Sequence, residues 1–114
     1  MIKLAIVGYR EFKDYKKFSK HIDEYIKEIG NPVLIISGGA KGVDTMAEKY
    51  AKEHNIPTQI FYPDWEKYGK GAGIIRNTDI IINSTHVLAF PNVRSIGTLD
   101  KAKIYNKVLK VIDI

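Results

Sequence analysis

The chain has 114 residues, a formal net charge of +5 and no cysteine. This length supports one hydrophobic core, so we expect residues 1–114 to form a single domain. The absence of cysteine excludes disulfides, thiolate metal ligands and cysteine nucleophiles, and the modest positive charge suits an anionic ligand.

The first apolar run, residues 2–7, is too short for a signal peptide or a membrane-spanning helix. We therefore expect a cytoplasmic protein with no membrane partner. The lysines are spread through the amphipathic segments, and in the first of these they alternate with acidic residues. This pattern is more typical of solvated helix faces than of a dedicated nucleic-acid surface.

Five apolar segments alternate with four segments of helical periodicity. The apolar segments contain few polar residues, which is typical of parallel strands that are covered on both faces. In the first amphipathic segment, apolar residues recur at three- and four-residue steps between Tyr15 and Ile29. The order predicts an α/β, three-layer domain with a mostly parallel five-stranded sheet and four main helices. The predicted strands are 2–8, 33–37, 58–62, 86–90 and 108–112, and the predicted helices are 14–29, 43–54, 72–82 and a last one from about 98.

The polar and glycine-rich segments fall after the predicted strands. Parallel sheets bind ligands beyond the carboxyl ends of their strands, where the strand order reverses. That edge should therefore collect the loops 8–10, 37–44, 63–73 and 90–98. The segment 63–73 combines a proline with three glycines and is predicted to be a long loop.

The most distinctive loop contains Ser37, Gly38, Gly39, Lys41 and Gly42, between an apolar strand and a helix start. Closely spaced glycines let backbone N–H groups approach a phosphate. The spacing Gly-Gly-x-x-Gly matches neither the Walker loop nor the dinucleotide fingerprint. The loop is therefore either an anion cradle or a tight strand-to-helix connection.

Several charged side chains are predicted to face this edge. Asp44 lies in the first helical turn, where it either complements the helix dipole or binds sugar hydroxyls, since a carboxylate would repel phosphate. Arg10 and Arg76 are candidates for binding a phosphate through two parallel hydrogen bonds from the guanidinium; the alternative is that each forms a surface ion pair. Asn77 adds an amide beside Arg76, and Lys41 either offsets the charge of Asp44 or is solvated.

Two aromatic residues of the 63–73 segment, Trp65 and Tyr68, either stack on a base or cover hydrophobic surface. Gly97 and Thr98 open the last predicted helix, which offers a second anion site or an ordinary helix start. The three histidines, His21, His54 and His86, lack metal-ligand spacing and are predicted to be structural. We predict no metal and no cofactor.

Four motifs in this order resemble the YspA-type branch of the SLOG superfamily, which also includes cytokinin-activating phosphoribohydrolases and DprA. The motifs are Ile-Val-Gly-Tyr-Arg at 6–10, Ser-Gly-Gly-Ala-Lys-Gly-Val-Asp-Thr-Met-Ala at 37–47, Pro-Asp-Trp-Glu-Lys-Tyr-Gly-Lys-Gly-Ala-Gly-Ile-Ile-Arg-Asn at 63–77, and Ala-Phe-Pro at 89–91 with Gly-Thr at 97–98. The resemblance covers nearly the whole chain. It implies a Rossmann-like sheet, a nucleotide or nucleotide-derived ligand, and a homo-oligomer.

The resemblance also implies which positions line the pocket. Those positions are Gly8, Arg10, Ser37, Gly38, Gly39, Lys41, Gly42, Asp44, Asp64, Trp65, Arg76, Asn77, Gly97 and Thr98.

One motif departs from the phosphoribohydrolase pattern Pro-Gly-Gly-x-Gly-Thr-x-x-Glu, whose glutamate is catalytic. Aligned on Gly97 and Thr98, the glutamate position is Lys101, and Asp100 would project about 100° away around the helix. Cleavage of a glycosidic bond would then need Asp44 or Asp64 as the acid.

The resemblance, taken together with these residues, implies three candidate functions, the third of them by analogy with DprA. The first is binding of a nucleotide-like small molecule, as a sensor or a sequestering module. The second is hydrolysis of a nucleotide N-glycosidic bond, with Asp44 and Arg76 as the catalytic candidates. The third is single-stranded nucleic-acid binding through Lys41, Lys70, Arg76 and the aromatic residues of the 63–73 segment.

Overall fold

The computed structural model describes residues 1–8, 11–39, 41–90 and 96–112, with the backbone alone for 96–98. Five parallel strands form one sheet in the order β3-β2-β1-β4-β5. The strands are β1 (Lys3–Gly8), β2 (Leu34–Ser37), β3 (Thr58–Ile60), β4 (His86–Phe90) and β5 (Val108–Val111). The helices are α1 (Tyr15–Ile29), α2 (Val43–Glu53), α3 (Trp65–Tyr68), α4 (Ala72–Asn83) and α5 (Ile96–Ile104).

The central strands bury side chains on both faces of the sheet, which is why they contain so few polar residues. Side chains of α1 and α2, including Phe18 and Tyr50, cover the face that presents Leu4 and Leu88. Side chains of α4 and α5 cover the opposite face. The predicted α/β, three-layer fold is therefore confirmed.

Local signals set the ends of the helices. The Asp14 carboxylate accepts a hydrogen bond from the Lys17 amide at 3.1 Å and so caps the start of α1. Gly30 ends that helix with a φ of +101°. Asn55, with a φ of +55°, follows the end of α2, and asparagine tolerates this left-handed conformation better than most residues.

The 63–73 segment contains more regular structure than predicted. It holds the short helix α3, a 3₁₀ turn over Gly69–Gly71 and the start of α4. Asp64 caps α3 by accepting a hydrogen bond from the Lys67 amide at 3.1 Å. The prediction of a loop was wrong because one helical turn is too short to show periodicity, whereas the glycines around it are typical of loops.

Two other boundaries differ from the prediction. Helix α5 begins at Ile96, so Gly97 and Thr98 lie inside its first turn. Strand β3 ends at Ile60, two residues before Tyr62. Among the described residues, no helix is both long and apolar enough to cross a membrane.

The strand order reverses between β1 and β4. The chain moves outward from β1 to β2 and β3, and then α4 carries it back to β4 on the other side of β1. This is the position at which open parallel sheets bind ligands. The segments that leave β2 and β3 reach this same carboxyl edge.

Candidate functional site

The glycine loop leaves β2 at Ser37 and enters α2 at Val43. The buried Ser37 hydroxyl donates a hydrogen bond to the Asp44 carbonyl oxygen at 3.3 Å, which ties the start of the loop to the first turn of α2. Gly39 and Gly42 have φ angles of +71° and +75°. These angles lie in the left-handed region that favours glycine, so the two residues let the loop turn sharply into the helix.

Opposite charges from the two helical layers converge on Gly38. Arg76 of α4 donates a hydrogen bond from Nη1 to the Gly38 carbonyl oxygen at 2.6 Å. A Cβ atom built on Gly38 would lie 2.8 Å from Arg76 Nη1 and 3.0 Å from Asp44 Oδ2. A guanidinium and a carboxylate therefore both lie against the glycine loop, close to the reversal of strand order.

Burial and a neighbouring amide position these charged groups. Asp44 is only 7% exposed, so its carboxylate is fixed by packing at the start of α2. Asn77 accepts a hydrogen bond from Arg76 Nε at 2.8 Å. The contacts to Gly38 and Asn77 use two of the five N–H groups of Arg76 and fix the plane of its guanidinium.

Aromatic side chains border the loop on the side of β3. The Tyr62 ring lies against Gly39, since a Cβ atom on Gly39 would be 2.5 Å from Tyr62 Cε1. Trp65 lies against α4, because its Cη2 is 3.7 Å from the position that a Cβ atom on Gly73 would occupy. Tyr62, Trp65 and Tyr68 are 69%, 55% and 42% exposed, so none of them belongs to the buried core.

Basic side chains accompany these aromatic residues. Lys67 Nζ lies 5.1 Å from the centre of the Tyr68 ring. Its hydrogen bond to the Tyr68 side chain raises the pKa of Lys67, which keeps the ammonium charged. Lys41 and Lys70 are exposed. This side of the carboxyl edge thus offers aromatic faces together with positive charge.

The structure brings only some of the predicted site residues together. Ser37, Gly38, Asp44, Arg76 and Asn77 form one connected group, and Gly39 and Gly42 shape the loop beside it.

Other predicted site residues have different surroundings. Gly8 is a packing position, because a Cβ atom there would lie 2.7 Å from Val43 Cγ2 and 2.8 Å from the Phe90 carbonyl oxygen. Asp64 caps α3, and Gly97 lies in the first turn of α5. Arg10 and the side chain of Thr98 lie outside the described residues.

Lys101, at the position of the phosphoribohydrolase glutamate, makes a contact between helices. Its Nζ donates hydrogen bonds to Thr78 Oγ1 at 2.7 Å and to the Ile74 carbonyl oxygen at 3.3 Å. This ammonium links α5 to α4, a contact that the sequence does not indicate because it joins residues 23 and 27 positions apart.

The three histidines lie apart in the fold. His21 packs edge-on against Phe90, His54 stacks on Tyr50 at 3.9 Å, and the imidazole of His86 lies 2.8 Å from the Thr85 hydroxyl. Within the described ranges, no group of three or more His, Asp or Glu side chains is placed to hold a metal ion.

A groove lies at the opposite, amino edge of the sheet. It has a volume of about 500 Å³, lies between α1 and α2, and is lined by residues that include Asp23, Asn31, Tyr50 and Ile56. The Tyr50 hydroxyl donates a hydrogen bond to Asp23 at 2.5 Å. Burial, together with this bond, raises the pKa of Tyr50 above its ordinary value of 10.0.

Tyr15 lies in a similar environment between the same two helices. Burial and a hydrogen bond to Glu53 raise its pKa. Lys49 lies over its ring, 4.1 Å from the ring centre. These contacts join α1 to α2.

Comparisons with known proteins identify relatives in sequence and in fold. The model of the YspA, cpYpsA-related SLOG family matches residues 2–68. The Gene 61 protein of Mycobacterium phage D29 is 31% identical over 104 residues, covering 86% of this chain and 83% of the phage protein.

Two solved structures share the fold. DNA processing protein A (DprA) from Streptococcus pneumoniae superposes with a TM-score of 0.80 at 20% identity, over 100% of this chain and 51% of that protein. The Helicobacter pylori DprA, described with a single-stranded DNA binding mode, has a TM-score of 0.76 at 22% identity, over 99% of this chain and 66% of its own. The chain therefore spans about half to two thirds of these proteins.

Proposed function

The chain belongs to the YspA, cpYpsA-related SLOG family, and from that premise we propose that it binds a nucleotide or a nucleotide-derived small molecule at the carboxyl edge of its sheet. The observation that carries the proposal is the group at Gly38, where a glycine loop, the Arg76 guanidinium and the Asp44 carboxylate meet.

Each part of this group suits one part of a nucleotide. The loop N–H groups and the positive end of α2 favour a phosphate, and the Arg76 fork adds charge-assisted hydrogen bonds. Asp44 would repel a phosphate, so we assign its carboxylate to the hydroxyls of the sugar. A carboxylate and a guanidinium that both lie against one glycine thereby orient the ligand as well as attract it.

Thermal shift and tryptophan fluorescence test this proposal. We expect at least one of AMP, cyclic AMP, ADP-ribose and NAD to raise the melting temperature, because a ligand that binds only the folded state stabilises it. The fluorescence of Trp65, the single tryptophan, should change as the same compound is titrated. No response to any of the four compounds in either measurement would contradict the proposal.

Two variants localise the binding. Arg76→Gln should weaken nucleotide affinity about 10- to 100-fold, the usual cost of losing a hydrogen bond to a charged group. Lys27→Gln removes the same charge from the groove at the amino edge and should leave the affinity unchanged. Equal losses in both variants would mean that the ligand responds to net charge alone.

The exposed aromatic residues favour a second candidate, single-stranded nucleic-acid binding. Trp65 and Tyr68 lie beside Lys67 and Lys70, and stacking surfaces with interspersed charge are how proteins bind single strands without sequence preference. This candidate predicts that affinity for a single-stranded oligonucleotide falls steeply with salt. The absence of a gel shift at low salt would exclude it.

Glycosidic cleavage has less support than binding. The position of the catalytic glutamate is occupied by Lys101, whose ammonium is bound to α4. An enzyme would therefore depend on Asp44, and Asp44→Asn should abolish release of free base if cleavage occurs. Absence of free base from wild type with a panel of nucleoside monophosphates would exclude the reaction.

We also propose that the chain self-associates, as the resemblance implies, and that it is cytoplasmic, as its short N-terminal apolar run and lack of cysteine favour. The exposed apolar side chains of Ile104 and Val108, near the edge strand β5, are the surface that we expect to be covered. Sedimentation velocity should show a dimer or larger species that Ile104→Lys weakens. A monomer at all concentrations would contradict this proposal.

A further inference from the structure

Tyr62 is an exposed aromatic residue in contact with the glycine loop. It follows β3 on the carboxyl edge, and 69% of its surface is accessible. Its ring nevertheless packs against a defined surface. Ring atoms Cε1 and Cδ1 lie 2.5 and 2.8 Å from the position that a Cβ atom on Gly39 would occupy, and Ile60 Cγ2 lies 3.1 Å from the same position.

Burial alone does not account for this arrangement. Aromatic rings that serve packing cover most of their large surface, whereas Tyr62 leaves more than half of its surface in water. Gly39 supplies both a positive φ and an empty Cβ position, and together these let the ring lie against the backbone. A ring that is fixed on one side and open on the other is prepared to stack, since little side-chain entropy is lost on binding.

We infer that Tyr62 stacks on the planar base of the ligand, so that the site selects base-bearing nucleotides over sugar phosphates. The inference rests on the proposed function, because it uses the same loop. Arg76 contacts Gly38 and Tyr62 contacts the adjacent Gly39, so the phosphate group and the base group are recognised from neighbouring backbone positions. Tyr62 thereby determines the specificity for a base, and Arg76 supplies the positive charge that attracts the phosphate.

The test compares AMP with ribose 5-phosphate, which lacks the base, by isothermal titration calorimetry. Wild type should bind AMP more tightly than ribose 5-phosphate. Tyr62→Leu retains an apolar contact with Gly39 but removes the aromatic face, and it should weaken AMP binding about 5- to 100-fold without changing affinity for ribose 5-phosphate. Tyr62→Phe should keep the wild-type affinity for AMP.

Tyr105→Ala provides the control for loss of an exposed tyrosine. Tyr105 follows α5 and precedes β5, so it lies at the opposite edge of the sheet, and this variant should bind both probes like wild type. Melting temperatures of all variants, measured without ligand, establish that they are folded. Tyr62→Ala serves as a second truncation if Tyr62→Leu is unstable.

The outcomes separate the inference from the proposed function. Unchanged AMP affinity in Tyr62→Leu, equal losses for both probes, or wild-type preference for ribose 5-phosphate would overturn the stacking role and leave the phosphate site standing. A loss in Tyr62→Phe as large as that in Tyr62→Leu would assign the effect to the hydroxyl and also overturn stacking. If wild type bound neither probe nor any other nucleotide tested, the proposed function would fail and the inference with it.

Discussion

Replacing Gly39 with alanine tests the geometry of the glycine loop most severely. The substitution adds a Cβ atom at a φ of +71°, and that atom would lie 2.5 Å from Tyr62 Cε1 and 3.1 Å from Ile60 Cγ2. The first distance is too short for two carbon atoms, so the ring or the loop must move. The variant therefore combines backbone strain with a steric clash.

Both contributions can be estimated. A left-handed φ costs an alanine about 1–2 kcal/mol relative to glycine. Overpacking a buried core costs about 1–3 kcal/mol, but the Tyr62 ring is 69% exposed and can move toward solvent, so we expect the clash to add about 1 kcal/mol. Gly39→Ala should therefore lower the free energy of unfolding by about 2–3 kcal/mol, compared with the about 5–15 kcal/mol that is typical of a small domain.

Two other glycines separate the contributions. Gly69 has a φ of +55° but no neighbour within 4 Å of a built Cβ atom, so Gly69→Ala should cost only the backbone term of about 1–2 kcal/mol. Gly71 also has no such neighbour and has a φ of −80°, so Gly71→Ala should be neutral or stabilising by up to about 1 kcal/mol. Urea unfolding of the three variants, followed by circular dichroism, gives these values.

A double variant identifies the group responsible for the clash. In a Tyr62→Ala background the ring is absent, so Gly39→Ala should cost about 1–2 kcal/mol, close to the value for Gly69→Ala. If Gly39→Ala lowered the free energy of unfolding equally with and without the tyrosine ring, the contact between the Tyr62 ring and Gly39 would be refuted.

Three further predictions concern contacts around the sheet. Arg76→Lys keeps the positive charge but loses the planar guanidinium, which can donate two parallel hydrogen bonds to a phosphate. Calorimetry should show about a tenfold loss of nucleotide affinity, and the size of that loss should change little with added salt. Unchanged affinity would contradict phosphate binding by the guanidinium. Lys101→Met removes two hydrogen bonds to α4 and should cost about 1 kcal/mol in urea unfolding, whereas Lys103→Met, at an exposed position of the same helix, should cost nothing measurable. The raised pKa of Tyr50 means that the folded state keeps a proton which the unfolded chain releases above pH 10, so stability should fall as pH rises beyond that value. Tyr50→Phe removes the titrating hydroxyl and should make the decrease between pH 9 and pH 11 smaller, and an identical decrease in both proteins would refute the raised pKa of Tyr50.

Hydrophobic patterning was sufficient to predict the fold class. The central strands β1, β2 and β4 are almost entirely apolar because helices cover both of their faces, and this property is visible in sequence. The strand order was not predicted, since it depends on which strands pair across the sheet. The short helix α3 was missed because its single turn, capped by Asp64, has no periodicity to detect.

The candidate site was predicted in part. Glycine spacing indicated the loop, and the positive φ angles of Gly39 and Gly42 agree with that use of glycine. The contact between Arg76 and Gly38 joins residues 38 positions apart, so only the fold could reveal it. Tyr62 was not singled out, because its importance arises from its contact with Gly39; its place at the carboxyl end of the predicted strand 58–62 was the one available signal.

Ligand binding at the carboxyl edge is measured most directly by an amide chemical-shift titration with AMP. We expect the N–H signals of Gly38, Gly39, Gly42 and Asp44, at that edge, to shift progressively and saturate. Shifts confined to Asn31 and Ile56, in the groove at the amino edge, would place the ligand at the opposite end of the sheet and contradict the proposed site.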